Sequence, residues 1–274
     1  MTARRRSRRS KTPRLTAKNA DKHVLYQMAV QDPEAEISFI DDVFRRHRRR
    51  KALSLREDFC GSALLCSRWV ESSPKRTATG VDLDPKVLAW GKRNNLSHLH
   101  EAGDRVRLLK QNVLDGTREK FDVVNALNFS YWVFRTRQEM RNYFSVAWRG
   151  LKRDGVFICD AYGGWESQEP MEEARSIKGR FTYVWDQYSF NPIDHGIRNY
   201  IHFRFKDGSK IERAFRYDWR YWTLPELREL MSEAGFSEVL VYWDRSDNDR
   251  YEDYRPTLRG DNHPGWLAYV VGLR

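Results

Sequence analysis

Cysteine is scarce in this chain, with Cys60, Cys66 and Cys159 the only three among 274 residues. They are too few and too scattered for a disulfide framework, and no Cys/His pairs stand at zinc-ligand spacing, so a reducing compartment and no metal are expected. No run of about 18 apolar residues occurs, which excludes a membrane-spanning helix. The N-terminus also lacks the apolar segment of a secretory signal. Together these absences point to a soluble, cytoplasmic protein with no membrane partner.

Acidic residues are missing from residues 1–20, which hold eight of the 49 Lys and Arg; the other 254 residues carry 41 basic against 38 acidic side chains. The formal net charge of +11 is therefore concentrated in a tail, MTARRRSRRSKTPR, that has almost nothing to bury. Residues 1–20 are expected to be disordered. Contact with nucleic acid through this tail is one reading, since clustered cations release counterions from phosphates. Solubilisation is the plainer one, because the tail lacks aromatic rings to stack on bases.

The rest, residues 21–274, reads as one domain. A helical segment runs from about Lys22 into the forties, interrupted near Asp32-Pro33 and ending in RRHRRRK, a basic helix end favoured by the helix dipole. From Leu53 the pattern alternates. Strands are expected at Leu53–Glu57, Thr77–Asp82, Arg105–Lys110, Phe121–Leu127 and Val156–Ala161, with helices at Ser62–Glu71 and Pro85–Asn95. Capping boxes at Thr136–Glu139 and Thr223–Glu226 open two more helices, and Phe236–Trp243 and Trp266–Gly272 supply the last strands. This rhythm predicts an α/β doubly wound seven-stranded sheet, mostly parallel with an antiparallel last strand, and a ligand at the strand carboxyl ends. About residues 165–222 break the rhythm. Three aromatic-rich alternating segments with a Lys206-Asp207-Gly208-Ser209 turn read as a small antiparallel β insertion.

Polar groups recur at the predicted strand ends: Glu57 before Cys60-Gly61-Ser62-Ala63, Asp82 in GVDLDP, Asn112 in KQNVLD and Asn128 in NALNFSYW. Asp82 stands where a carboxylate accepts hydrogen bonds from both ribose hydroxyls. With these residues in place the chain resembles a Rossmann-like (class I) S-adenosylmethionine-dependent methyltransferase, by motif over roughly residues 50 to 165. Its EDFCGSA aligns with the family's acidic-x-Gly-x-Gly-x-Gly loop: Glu57 takes the acidic place, Phe59 and Ala63 replace the outer glycines, and Gly61 is retained. A ligand without a pyrophosphate has less need of the missing glycines.

The resemblance implies S-adenosylmethionine as cofactor, with Glu57, Phe59, Cys60, Gly61 and Ser62 around the methionyl end and Asp82 on the ribose. Leu83, Asn112 and Val113 would contact adenine, Asn112 standing where relatives often have Asp. Asn128 would border the site, and Tyr26 would cover the cofactor from the leading helix. Asn128-Phe129-Ser130-Tyr131 falls where amino-group methyltransferases carry Asn/Asp-Pro-Pro-Tyr, without either proline. Asn128, Tyr131, Trp132, Trp185 and Tyr217 are the candidate acceptor-site residues, among aromatics that serve either as packing or as a surface for a cationic or flat ligand. His195 and His202 are read as structural or surface residues rather than bases. Cys60 has no histidine near it in sequence to activate it as a nucleophile. The expected activity is methyl transfer to N or O of a small-molecule acceptor. An RNA or protein methyltransferase guided by the tail, and a non-catalytic cofactor-binding scaffold, are the alternatives.

Overall fold

The computed structural model describes residues 14–245 and 253–274. Five strands, β1 (Ser54–Asp58), β2 (Thr77–Asp82), β3 (Val106–Lys110), β4 (Phe121–Ala126) and β5 (Leu151–Gly163), pair in parallel in the order β5-β4-β1-β2-β3. Beyond β5 the sheet continues with β12 (Trp266–Leu273), antiparallel to β5, and then β10 (Glu238–Asp244) and β11 (Tyr254–Thr257). The strand count is a correction: among the described residues eight strands pair where seven are expected. The additional β11 is four residues long and contains Pro256, which a sequence reading discounts and which only a sheet edge tolerates. The order reverses between β1 and β4, so the connections leaving these two strands diverge and open a crevice at their carboxyl ends.

Helices cover both faces. The proline expected to interrupt the first helical segment instead starts a second one: α1 (Lys22–Val30) is followed by α2 (Pro33–Arg48), with Pro33 in the first turn and Asp32 accepting from the Ala35 amide. The basic end of α2 is tied into the fold as well as solvated. Arg48 donates to the Gly155 and Arg274 carbonyls, and Arg50 bridges Asp122 and Asp154. α3 is Leu64–Glu71, and α4 (Pro85–Gly91) gives way to a wider π turn at Lys92–Leu96, where the Asn95 amide reaches the Ser62 carbonyl. α5 (Arg137–Gly150) and α6 (Leu224–Ala234) begin with the reciprocal capping boxes Thr136/Glu139 and Thr223/Glu226.

Between β5 and α6 a separate antiparallel sheet of β6 (Met171–Ile177), β7 (Phe181–Phe190), β8 (Gly196–Phe205) and β9 (Lys210–Arg220) stands beside the crevice. β6 escapes a pattern reading because six of its seven residues are exposed and show no alternation. Leu25 and Ala29 of α1 pack with Ile177, Phe181, Ile201 and Phe203 of this sheet, which fixes α1 near the strand ends. Residues 1–13 of the basic tail lie outside the described residues. Of the residues counted with that tail, 14–20 are described: Leu15, Ala17 and Ala20 pack on the same cluster, and the Ala17 amide donates to Ser209 Oγ at 2.9 Å.

Candidate active site

The loop after β1 turns three times through left-handed backbone, at Phe59 (φ 59°), Gly61 (φ 50°) and Ala63 (φ 55°). Hydrogen bonds hold each turn: Cys60 N to the Val81 carbonyl at 3.0 Å, Gly61 N to Asp82 Oδ2 at 2.8 Å, and Ala63 N to the Cys60 carbonyl at 2.8 Å. Asp82 Oδ1 also accepts from the Asp84 amide at 2.8 Å. Glu57 is buried beside α3, where Oε2 accepts from the Cys66 amide at 3.2 Å and the Cys66 thiol at 3.0 Å. Asp58 is held bidentately by Arg56, both distances 2.9 Å, and accepts from the Tyr143 hydroxyl at 3.1 Å. Burial pushes the Cys60, Cys66 and Cys159 thiols up, so all three stay protonated and none is an activated nucleophile.

This loop forms the floor of a cleft of about 330 Å³. Of the sequence-predicted cofactor residues, Tyr26, Glu57, Phe59, Cys60, Gly61, Ser62, Asp82 and Asn128 all line it. Leu83, Asn112 and Val113 do not. Leu83 is 64% exposed outside the cleft, the Asn112 side chain caps the following turn by accepting from the Leu114 amide, and Val113 is buried in the core. Sequence reading missed Glu36, which reaches the cleft from α2. Burial first, then the nearby Glu57 and Asp160 charges, push its carboxyl up to about 8. Glu57 is pushed up to about 7, also mainly by burial. No local motif announces Glu36; only the fold brings α2 over the strand ends.

A larger cavity of about 760 Å³ lies between the strand ends and the pocket-facing side of the small sheet. Asn128, Trp185 and Tyr217 line it, with Phe129, Tyr162, Tyr183 and Trp219. The two cavities share three residues, Tyr26, Asn128 and Tyr217. Tyr26 and Tyr217 both stand at this junction, and burial pushes both phenols up. Tyr131 and Trp132, expected at the acceptor site, are fully buried and line neither cavity. The 3-10 turn Ser130–Val133 rotates both rings into the core, where the Tyr131 hydroxyl donates to the Asp160 carbonyl at 2.8 Å and Trp132 stacks on Tyr162. His202 is clasped between Asp186 and Glu212 away from both cavities, and His195 sits in a turn against Phe190.

The turn after β4 is built without proline. Asn128 and Phe129 are consecutive left-handed residues, both at φ 56°. Their amides donate to one carboxylate, Asn128 N to Asp160 Oδ2 at 2.7 Å and Phe129 N to Asp160 Oδ1 at 2.9 Å. Asp160 follows the apolar run Val156–Cys159 of β5, and that position is its one signal in the sequence.

The sheet order and the crevice at its switch point define a Rossmann-like nucleotide-cofactor fold. Comparison with known proteins narrows it: residues 58–159 match a family model described as a methyltransferase domain. A Geobacillus sp. (strain WCH70) protein named as a proposed methyltransferase is 23% identical over 216 residues, 77% of this chain and 84% of that one. An S-adenosylmethionine-dependent methyltransferase of Clostridium acetobutylicum ATCC 824 superposes with a TM-score of 0.67 at 16% identity, covering 92% of this chain and 96% of that one. An amino pentose methyltransferase from Micromonospora echinaspora, solved with S-adenosylmethionine bound, gives a TM-score of 0.66 at 16% identity, covering 92% and 95%. Residues 58–159 thus match a methyltransferase domain, and the chain shares the Rossmann-like fold of these S-adenosylmethionine-dependent methyltransferases.

Proposed function

We propose that the protein methylates a small molecule at nitrogen or oxygen, with nitrogen favoured, by binding the acceptor in the larger cavity and S-adenosylmethionine in the smaller. The observation that carries this reading is the junction: Tyr26, Asn128 and Tyr217 border both cavities, so a methyl donor on one side faces an acceptor on the other. The smaller cleft suits a cationic ligand. Glu36, Glu57, Asp82 and Asp84 face it, and the buried Gln31 Oε1, which has no hydrogen-bond partner among the described residues, offers an acceptor to an amino group.

When bound, the cofactor supplies a methyl carbon already activated by a positively charged sulfur. The protein therefore has mainly to align and desolvate the partners. Glu57 and Glu36 would face the ammonium group of the amino-acid end. Asp82, whose two oxygens each accept one backbone amide, keeps further lone pairs for ribose hydroxyls. At the junction Asn128 offers an amide oxygen to an acceptor N–H, while the two phenols are pushed too far up to ionise and serve as bases. A neutral amine needs no base before attack. The amino pentose substrate in the name of one structural neighbour fits that preference.

Calorimetric titration with S-adenosylmethionine and S-adenosylhomocysteine tests the cofactor half, with Asp82→Ala in parallel. Micromolar binding that falls at least about tenfold in the variant supports the assignment, a tenfold change being about 1.4 kcal/mol. Screening of small amines against matched phenols then tests the acceptor. If cofactor binds but neither class is methylated, the small-molecule reading fails.

A further inference from the structure

The turn at Asn128-Phe129 poses a physical problem. Two consecutive left-handed residues, neither of them glycine, are each held in a conformation that L-residues avoid. Such a turn persists where its surroundings over-determine it. Here the surrounding group is one buried carboxylate that takes both amide hydrogens. The turn also carries the single side chain of β4's exit that borders both cavities, Asn128, and sets Phe129 into the wall of the larger one.

We propose that Asp160 is a positioning residue for methyl transfer: by clamping the Asn128 and Phe129 amides it fixes Asn128 at the junction of the two cavities. The role rests on the methyl-transfer reading given above. It does the work that a rigid Pro-Pro pair would do, from the neighbouring strand. Asp160 lines neither cavity and so touches neither ligand. Its charge state matters, because an ionised carboxylate accepts on both oxygens whereas a protonated one turns one oxygen into a donor. Burial pushes this carboxyl up to about 7, against the pull of the two amides. Glu36 from α2, Tyr26 from α1, Tyr131, Cys159 and Tyr269 from β12 surround it, and among the described residues no cation pairs with it. The clamp therefore loosens as pH falls through neutrality.

The test pairs nuclear magnetic resonance with kinetics. In the wild-type protein the Asn128 and Phe129 amide signals should shift together between about pH 5 and 9 with one midpoint near 7, and in Asp160→Asn neither should titrate. The same variant presents an amide N–H to one of the two backbone donors. It should bind S-adenosylmethionine within about threefold of wild type, while acceptor kcat falls about tenfold or more with KM little changed. Wild-type amides that do not respond to pH, or an Asp160→Asn enzyme with undiminished kcat, overturn the proposal. The amide titration uses wild-type protein alone, so it decides the clamp even if the variant fails to fold. If no acceptor is ever methylated, the function fails, while the amide and cofactor-binding measurements still judge the clamp separately.

Discussion

Replacing Gly61 by alanine imposes two costs that one experiment can separate. Gly61 has φ +50°, and a Cβ built there meets no atom within 4 Å. The first cost is therefore purely conformational, about 1–2 kcal/mol for a left-handed L-residue. Reduced freedom of the unfolded chain offsets about 0.4–1 kcal/mol of it. The net loss is about 1 kcal/mol, which for a domain of this size lowers Tm by about 2–4 °C. The second cost appears only with ligand. Gly61 lines the smaller cleft, so the empty space around its Cβ is space the cofactor would use. A methyl group there should weaken S-adenosylmethionine binding by about tenfold or more, roughly 1.4 kcal/mol. Thermal denaturation of the ligand-free protein measures the first cost and calorimetric titration the second. An unchanged Kd would refute the placement of the cofactor against this loop, and an unchanged Tm would refute the backbone argument.

Two further outcomes follow from buried charge. Glu36, Glu57 and Asp160 have carboxyls pushed up to about 8, about 7 and about 7, so between about pH 4 and 8 the folded state holds more protons than the unfolded one. Their contribution to stability is fully present at low pH and is lost as pH rises through those values. Ligand-free protein should then melt higher at about pH 5.5 than at pH 8.5, despite opposition from His23 and His47, whose pKa values burial lowers; a flat or reversed profile refutes this. Arg56→Ala leaves the Asp58 carboxylate buried with only the Tyr143 hydroxyl as side-chain partner, and should cost about 3–5 kcal/mol in urea unfolding. A loss under about 1 kcal/mol would show that the pair is dispensable.

The sheet was legible because its signals are local. Alternating strands and helices, two capping boxes and the Gly208 turn each depend on a few adjacent residues, and each appears close to where the pattern puts it. The misses are non-local. β6 and β11 have no periodicity of their own and exist only because a neighbouring strand offers a ladder. Tyr131 and Trp132 carry the aromatic composition of a binding surface, but one 3-10 turn decides that their rings enter the core. Asn112 stands at the expected strand end, and the pattern could not tell that its side-chain oxygen accepts from the Leu114 amide. Glu36 and Asp160 matter through what surrounds them, namely each other, Glu57 and the amides of a distant turn.

The loop after β1 shows why a single glycine is sufficient. The backbone is left-handed at Phe59, Gly61 and Ala63, the three positions that the sequence resemblance aligns with glycines. At Phe59 the side chain offsets the backbone cost of about 1–2 kcal/mol, because its ring packs on Phe134 and Tyr143, and burying a phenylalanine contributes about 1.5–3 kcal/mol. Ala63 is fully buried at the start of α3, and its methyl returns about 0.8 kcal/mol, with the hydrogen bond from its amide to the Cys60 carbonyl making up part of the difference. Gly61 has no such compensation. A side chain there would project into open space and gain no packing, so the conformational cost would stand alone and the cleft would narrow. Glycine stands at the one turn of the loop where no contact could repay its replacement.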